Sequence, residues 1–165
     1  MTRLVVAYSL VAVAAGCAQP QRLPEDGLEG KPWEVQKPLL PSYPKQENLV
    51  SFYVGVMSPF AFFVDSASVS VGPDGIVRYT LVARSPSGGE NVSYEGIRCE
   101  TYESKTYAFG GADGSWAQAR NQQWKPYSRY QSGLHLVLAD DFFCSASGAK
   151  TAEEAVRGLV RGKPR

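Results

Sequence analysis

The stretch FFVDSASVSVGPDGIVRYTLVARSPSGGENVSYEGIRC, residues 62–99, decides the predicted fold. Its apolar residues recur with a period of two, which is typical of β-strands. Two segments rich in glycine, proline and serine, 72–75 and 85–89, interrupt the pattern, and such segments form tight turns. The stretch therefore predicts three consecutive antiparallel strands with one side of the sheet facing solvent.

The alternation also predicts which side chains share a side of the sheet. In the first strand it places Ala67, Val69 and Val71 on one side and three serines on the other. In the third strand the apolar residues change from even positions, Val92 and Tyr94, to odd positions, Ile97 and Cys99, with Gly96 between them. A β-bulge at Gly96 would restore the phase, and we predict one there.

Further strands and helices are predicted on either side of this stretch. The apolar segment 50–56 and the segment 101–109 read as additional strands. Ser115 and Gln118 have the spacing of a capping box, so a short helix is expected from Trp116 to about Lys125.

The last third of the chain ends in a clearly amphipathic segment. Residues 134–143 have helical spacing, although 134–138 fit a strand equally well. Thr151 and Glu154 form a capping box before apolar residues at helical spacing up to Val160. We expect an α+β fold: an antiparallel β-meander with one wet face, covered by short helices and a C-terminal helix.

The first residues have the pattern of an export signal. Arg3 precedes an apolar run of about 12 residues, too short to span a bilayer as a stable helix. The run ends in Ala14-Ala15-Gly16-Cys17, which resembles the bacterial lipobox. The resemblance implies cleavage after residue 16 and lipidation of Cys17, with an ordinary signal peptide as the alternative. Position 18 is alanine, so by analogy we expect a lipoprotein of the outer membrane that faces the periplasm.

Three regions follow from this pattern. Residues 1–16 are the predicted signal peptide, and residues 17–48, which are rich in proline, are a predicted tether. Residues 49–165 are expected to form a single domain. Trp33, Leu39, Leu40 and Tyr43 indicate that the later part of the tether lies against this domain.

Charge and motifs exclude several classes of function. The full chain has a formal net charge of +1, and loss of Arg3 brings the mature chain close to neutrality. Nucleic-acid binding needs clustered excess positive charge, so no nucleic-acid partner is expected. The sequence has no Walker loop, dinucleotide fingerprint or EF-hand loop, and we predict no cofactor and no metal.

The chain has three cysteines, and Cys17 is assigned to lipid. Cys99 and Cys144 are then the two remaining cysteines. Because the expected compartment oxidises thiols, we predict a disulfide between them. A metal pair is the alternative, but two thiolates with one histidine lack the fourth ligand of a structural zinc site. A disulfide that closes a loop of about 45 residues stabilises the folded chain by roughly 4 kcal/mol.

Aromatic residues supply the candidate binding surface. Trp124 and Arg120, with Tyr127 and Tyr130, can stack on sugar or peptide groups, or they can cover the sheet. Trp116 follows the predicted cap directly, so we expect it to be structural. The first functional hypothesis is therefore a non-catalytic binding or structural module for an envelope protein or glycan.

The second hypothesis is a small envelope hydrolase that uses His135, the only histidine. It requires His135 in a cleft, within hydrogen-bond distance of an acid or a hydroxyl. A lone histidine beside leucines is more often structural. The position of His135 therefore separates the two hypotheses.

The chain also resembles a known family. Residues 62–99, followed by YAFG at 107–110, GSW at 114–116 and FFC at 142–144, are similar to the cryptic neisserial protein family. The likeness runs from about Trp33 to the C-terminal helix. It implies an uncharacterised envelope protein and supplies no catalytic residues.

Overall fold

An antiparallel meander forms the centre of the fold. The computed structural model describes residues 38–55, 58–127 and 133–162. Six strands pair in chain order, and a seventh pairs with the fifth. They are β1 (Leu49–Phe52), β2 (Ala61–Val71), β3 (Ile76–Arg84), β4 (Glu90–Arg98), β5 (Glu103–Gly110), β6 (Trp116–Gln118) and β7 (Lys125–Pro126).

Short elements follow the sheet. They are α1 (Gly133–Val137), a π-helix (Leu138–Phe143), the hairpin strands β8 (Cys144–Ser145) and β9 (Gly148–Ala149), and α2 (Ala152–Arg161). The predicted α+β meander with a C-terminal helix is confirmed. The β1 strand is shorter than the predicted 50–56, and part of that segment lies outside the described residues.

Both predicted turns join their strands as the sequence indicates. The N–H of Gly75 donates to the carbonyl of Gly72, and that of Gly88 donates to Ser85. Gly75 and Gly88 have φ values of 64° and 87°, which favour glycine. Asp74 closes the first turn by accepting the N–H of Ile76 at 3.3 Å.

The predicted alternation in β2 is wrong at Ala67 and Ser68. Ala67 is exposed and Ser68 is buried, the reverse of the expected pattern. The cause is a long bulge: Asp65 pairs with Thr80 and Ser70 with Arg78, so four residues of β2 lie opposite one residue of β3. The period of two therefore fails over the four residues between Asp65 and Ser70.

The bulge predicted at Gly96 is also wrong. The pairing of β3 with β4 is unbroken, and the irregularity lies between β4 and β5, where Tyr107 has no partner in the register. The apolar set slips because Val92 and Tyr94 are buried on one side of the sheet and Ile97 on the other. Gly96 is required by packing, since a Cβ there would lie 2.9 Å from the Tyr107 ring.

The helices cover one side of the sheet, called here the helix side. The apolar core lies there, and its fully buried members include Val64, Val77, Tyr79, Ile97, Leu138, Phe143, Ala155 and Leu159. Residues 134–143 are helical, so the alternative of a strand at 134–138 is excluded. Both hydrogen bonds of the Thr151–Glu154 capping box form, as predicted. Val160 was assigned to the apolar side of the helix but is 50% exposed.

The predicted disulfide fastens this helical layer to the sheet. Cys99 follows β4, and its sulfur is bonded to that of Cys144 in β8. The bond closes a loop with a sequence separation of 45 residues. It therefore joins the layers across the apolar core.

The helix predicted from Trp116 is wrong. Residues 116–118 form β6, which pairs with β5. The Ser115 hydroxyl donates to Asp113 at 2.7 Å, and Asp113 also accepts the Ser115 N–H at 3.0 Å. Ser115 is thus engaged in the preceding turn instead of capping a helix.

The end of the proline-rich segment contacts the sheet, as predicted for its later part. The Tyr43 hydroxyl donates to the Gly111 carbonyl at 2.9 Å, and the Trp116 ring N–H donates to Pro41. Leu39, in contrast, is 90% exposed. Trp33, Cys17 and the predicted signal peptide lie outside the described residues. None of the described helices is long and apolar enough to cross a membrane.

Candidate binding face

The side of the sheet opposite the helices carries most of the candidate binding chemistry. It is called here the helix-free side, and it corresponds to the predicted wet face. Its centre is nevertheless buried: Arg78 is 5% exposed, and Thr80 and Val82 are less exposed still. A small cluster of Tyr94, Tyr107 and Ala108, with Trp116 packed against it, covers part of this side.

A buried ion pair lies near the first turn on this side. The Arg78 guanidinium donates to both carboxylate oxygens of Asp74, at 3.0 and 2.5 Å. Burial lowers the pKa of Arg78, but hydrogen bonding to Asp74 and neighbouring charges outweigh it and raise the pKa above its ordinary value. Both charges are therefore retained and paired. The guanidinium also lies 5.8 Å from the Tyr107 ring centroid.

Next to this pair, cations and rings alternate in a surface that we name the cation–aromatic patch: Arg98, Lys105, Tyr107 and Trp124. The Arg98 guanidinium lies 4.3 Å from the Trp124 centroid. The Lys105 ammonium lies 5.2 Å from the Tyr107 centroid and 5.7 Å from that of Trp124. The two rings meet edge to face at 6.4 Å. The rings thus hold two cations in fixed positions.

Lys105 differs from its neighbours in having no ion-pair partner among the described acids. Arg98 pairs with Glu103 at 3.2 Å, and Arg78 pairs with Asp74. No described carboxylate forms an ion pair with Lys105. Burial lowers the pKa of Lys105, and the positive charges of Arg98 and Arg78 lower it further. An anion bound here would relieve this repulsion.

The residues predicted from the sequence to form a binding surface are only partly brought together. Trp124 belongs to the patch and is half-buried, but Arg98 occupies one face of its ring. Arg120 is exposed, and no ion pair joins it to a described residue. Tyr127 is 8% exposed and lies in the core of the helix side. Tyr130 lies outside the described residues.

Trp116, predicted to be structural, lies outside the patch. Its ring is half-buried and packs 5.6 Å from Tyr43 and 6.2 Å from Tyr94, centroid to centroid. The ring N–H donates to Pro41 at 2.9 Å. These contacts tie the end of the proline-rich segment to the sheet.

A second polar cluster lies on the helix side, where Glu95 accepts three hydrogen bonds. The Tyr79 hydroxyl and His135 Nε2 approach Glu95 Oε2 at 3.0 and 2.8 Å, and Ser93 donates to Oε1 at 2.7 Å. Burial raises the pKa of Glu95, but the bonds from His135, Ser93 and Tyr79 outweigh it and hold the pKa below its ordinary value. Burial, with the nearby Glu95 charge, raises the pKa of Tyr79 well above its usual range.

This network meets part of the requirement for a hydrolase. His135 lies within hydrogen-bond distance of an acid, as that hypothesis requires. Ser93 and His135, however, bind different oxygens of Glu95, so no hydrogen bond joins the hydroxyl to the histidine. A serine nucleophile needs its general base within hydrogen-bond distance. The geometry instead matches a satisfied buried carboxylate that fixes α1 on the sheet.

Sequence reasoning missed Lys105, Arg98 and Glu95. Lys105 and Tyr107 are two positions apart on one strand, so the period of two already indicated that they share a side. Arg98 reaches the same side only through the register of β4 with its neighbours. Little in the sequence indicated Glu95, because two of its three partners come from β3 and α1.

Comparisons with known proteins agree with the resemblance stated above. The model of the CNP1-like family matches residues 28–160. A curated relative, Cryptic neisserial protein 1 of Neisseria gonorrhoeae, is 35% identical over 74 residues, which are 38% of this chain and 36% of the relative. The matched region thus spans about a third of that relative. No solved structure matches the chain.

Proposed function

This chain belongs to the CNP1-like family, and we propose that it is an outer-membrane lipoprotein, facing the periplasm, that binds a carboxylate-bearing envelope polymer without catalysis. The observation that carries the binding role is Lys105. It is a cation held over two aromatic rings, beside two further cations, and no described acid forms an ion pair with it.

The location is supported by the sequence and the disulfide. The signal-like segment ends in a lipobox-like AAGC at residues 14–17, and lipid chains on Cys17 would hold the protein at a membrane. The Cys99–Cys144 bond is typical of proteins in an oxidising compartment such as the periplasm. The proline-rich segment between them suits a protein that must reach away from its anchor.

The ligand class follows from the charges of the patch. Trp124 does not offer both faces to a sugar ring, because Arg98 covers one of them. The patch has two cations, Arg98 and Lys105, and the neighbouring acid Glu103 pairs with Arg98 alone. An anionic group is therefore the complement, and carboxylates are abundant on the peptides of the bacterial cell wall.

Co-sedimentation with purified cell-wall sacculi tests the binding role. We expect the parent chain to sediment with sacculi at low salt, and Lys105→Gln to lower the bound fraction several-fold. Because Lys105 is repelled by its neighbours, Lys105→Gln should leave the free energy of unfolding equal or higher. Arg161→Gln, which removes one exposed positive charge from α2, is the matched control.

Two results would count against this role. If Lys105→Gln and Arg161→Gln bind equally, the patch is not the site. If the parent chain itself does not sediment, the ligand is not this polymer. An acidic envelope protein that crosslinks to the chain would then be the ligand instead.

Membrane fractionation of a Cys17→Ser variant tests the anchor. The variant should be released from the membrane fraction and should not be cleaved before residue 17. Retention of the serine variant in the detergent phase would show that Cys17 is not the anchor.

The Glu95–His135 contact favours one second candidate, a small hydrolase. On that reading His135→Gln abolishes hydrolysis of a wall-derived ester or amide while the fold persists. On the binding reading the purified chain hydrolyses no such substrate, and His135→Gln changes only stability. Assays with the parent chain and this variant separate the two.

A further inference from the structure

We propose that the polar pocket beside the bulge of β2 is a binding site for a primary ammonium group, with Asp65 as its acceptor. The pocket has a volume of about 540 Å³, and its lining includes Tyr43, Lys45, Glu47, Asp65 and Ser68. It shares no residue with the cation–aromatic patch, and it would take a ligand of opposite charge. The inference therefore goes beyond the binding role proposed above.

The Asp65 side chain is largely buried and has few hydrogen-bond partners among the described residues. Asp65 is 3% exposed, and its Oδ1 accepts one hydrogen bond, from the N–H of Ala67 at 3.1 Å. No other hydrogen bond or ion pair reaches this carboxylate from the described residues. An ionised carboxylate can accept about four hydrogen bonds, and the described residues supply one. Burial accordingly raises the pKa of Asp65.

The bulge positions Asp65 without using its carboxylate. The Ser68 hydroxyl donates to the Asp65 backbone carbonyl at 2.7 Å and accepts the N–H of Thr80, also at 2.7 Å. Ser68 thus replaces the strand pairing that the bulge removes. The fold holds Asp65 at the pocket and leaves most of its acceptor capacity to a ligand.

The charge of the pocket selects a cation. Asp65 and Glu47 contribute two carboxylates and Lys45 one ammonium, so acidic groups are in excess. No group of three or more metal-ligating side chains occurs among the described residues, which favours a hydrogen-bond donor over a metal ion. A primary ammonium has three donors and one positive charge. Such a group is present on a lysine side chain and on an ethanolamine headgroup.

Amide NMR of the mature chain tests the site, with the Ala67 N–H as the reporter because it bonds to Asp65. The ligands to titrate are Nα-acetyl-lysinamide, glycerophosphoethanolamine and the uncharged Nα-acetyl-norleucinamide. The variant is Asp65→Asn, which keeps an acceptor for Ala67. Asp113→Asn is the matched control, because Asp113 also accepts the N–H two residues ahead but is exposed.

We expect saturable shifts of the Ala67 signal with at least one ammonium ligand, in the parent chain and in Asp113→Asn. Asp65→Asn should weaken binding at least tenfold and melt at or above the parent temperature, since it removes a buried charge. Binding of the lysinamide indicates a protein or peptide source, and binding of the phosphoethanolamine alone indicates a lipid headgroup.

Three results would overturn the site. They are equal shifts with the norleucinamide, unchanged affinity in Asp65→Asn, and no shift with either ammonium ligand. If Asp65→Asn does not fold, the carboxyl ¹³C signal of Asp65 in the parent replaces it. An ammonium ligand should lower the pH at which that signal titrates, and an unmoved titration would refute the proposal.

Discussion

Replacing Glu95 tests whether the network on the helix side is a main source of stability. Glu95 accepts hydrogen bonds from Tyr79, Ser93 and His135, and it links α1 to β3 and β4. Glu95→Ala removes the acceptor from all three donors. Glu95→Gln keeps the shape and can still pair with all three, but without the charge.

The expected loss follows from the burial of each donor. Tyr79 is fully buried and Ser93 nearly so, and a buried donor without an acceptor costs about 1–3 kcal/mol. His135 is partly exposed, and water can replace its partner. Glu95→Ala should therefore lower the free energy of unfolding by about 3–5 kcal/mol. Glu95→Gln should lower it by about 1–2 kcal/mol, because charged hydrogen bonds are replaced by neutral ones.

Urea unfolding at neutral pH, followed by circular dichroism with the disulfide intact, measures both losses. Glu90→Ala is the control on the same strand, since the Arg84–Glu90 pair is exposed and should contribute less than about 1 kcal/mol. A Glu95→Ala chain within about 1 kcal/mol of the parent would refute the structural interpretation of the network. The contact between His135 and Glu95 would then need an explanation other than stability.

Three further predictions follow from particular contacts. The pKa of Glu95 is lower in the folded chain than its ordinary 4.5. The stability that its charge contributes is therefore complete above pH 4.5 and is lost as the pH falls through the folded pKa. The urea midpoint of the parent should fall on acidification, and more steeply than that of Glu95→Gln. Trp116→Ala should cost about 2–3 kcal/mol, less than a fully buried tryptophan, and a melting temperature within about 2 °C of the parent would contradict this. Gly96→Ala should lower the free energy of unfolding by about 1–3 kcal/mol because its Cβ would meet the Tyr107 ring, and an unchanged urea midpoint would show that the ring can move.

The meander was predictable because its signals are local. The glycines at the turns and the alternation in β3 depend on residues close in sequence, and both predicted turns form. The Thr151–Glu154 capping box is equally local and was found. The disulfide needed only the cysteine count and the compartment.

The errors occurred where a distant partner overrides a local signal. Ser115 and Gln118 have capping-box spacing, but Asp113 engages Ser115 and pairing with β5 extends the segment. At Gly96 the change of phase resembles a bulge in sequence, but β4 buries apolar side chains on both sides of the sheet and pairs with β3 without a break. The Ser68 hydrogen bond that completes the β2 bulge reaches Thr80, 12 residues away. The local pattern of each segment does not show which strand it pairs with or in which register.

The candidate site was harder to predict than the fold, because it depends on which charges remain unpaired. Sequence composition shows nearly balanced charge and gives no reason to single out Lys105 or Asp65. Only the structure shows that Arg98 is paired with Glu103 while Lys105 is not paired with a described acid. Aromatic content indicated the region of Trp124 but not that cations lie over its ring.

Under the two proposals above, charged side chains on the two sides of the sheet have different roles. On the helix side the buried Glu95 has three hydrogen-bond partners, so its charge stabilises the fold. On the helix-free side Lys105 has repelling neighbours. Asp65, which pairs in register with Thr80, has one hydrogen-bond partner for its carboxylate among the described residues. Under the same proposals, a bound ligand would compensate these two charges. Substitutions should accordingly act in opposite ways: Glu95→Gln lowers stability and leaves binding intact, whereas Lys105→Gln and Asp65→Asn weaken binding and leave stability unchanged or higher.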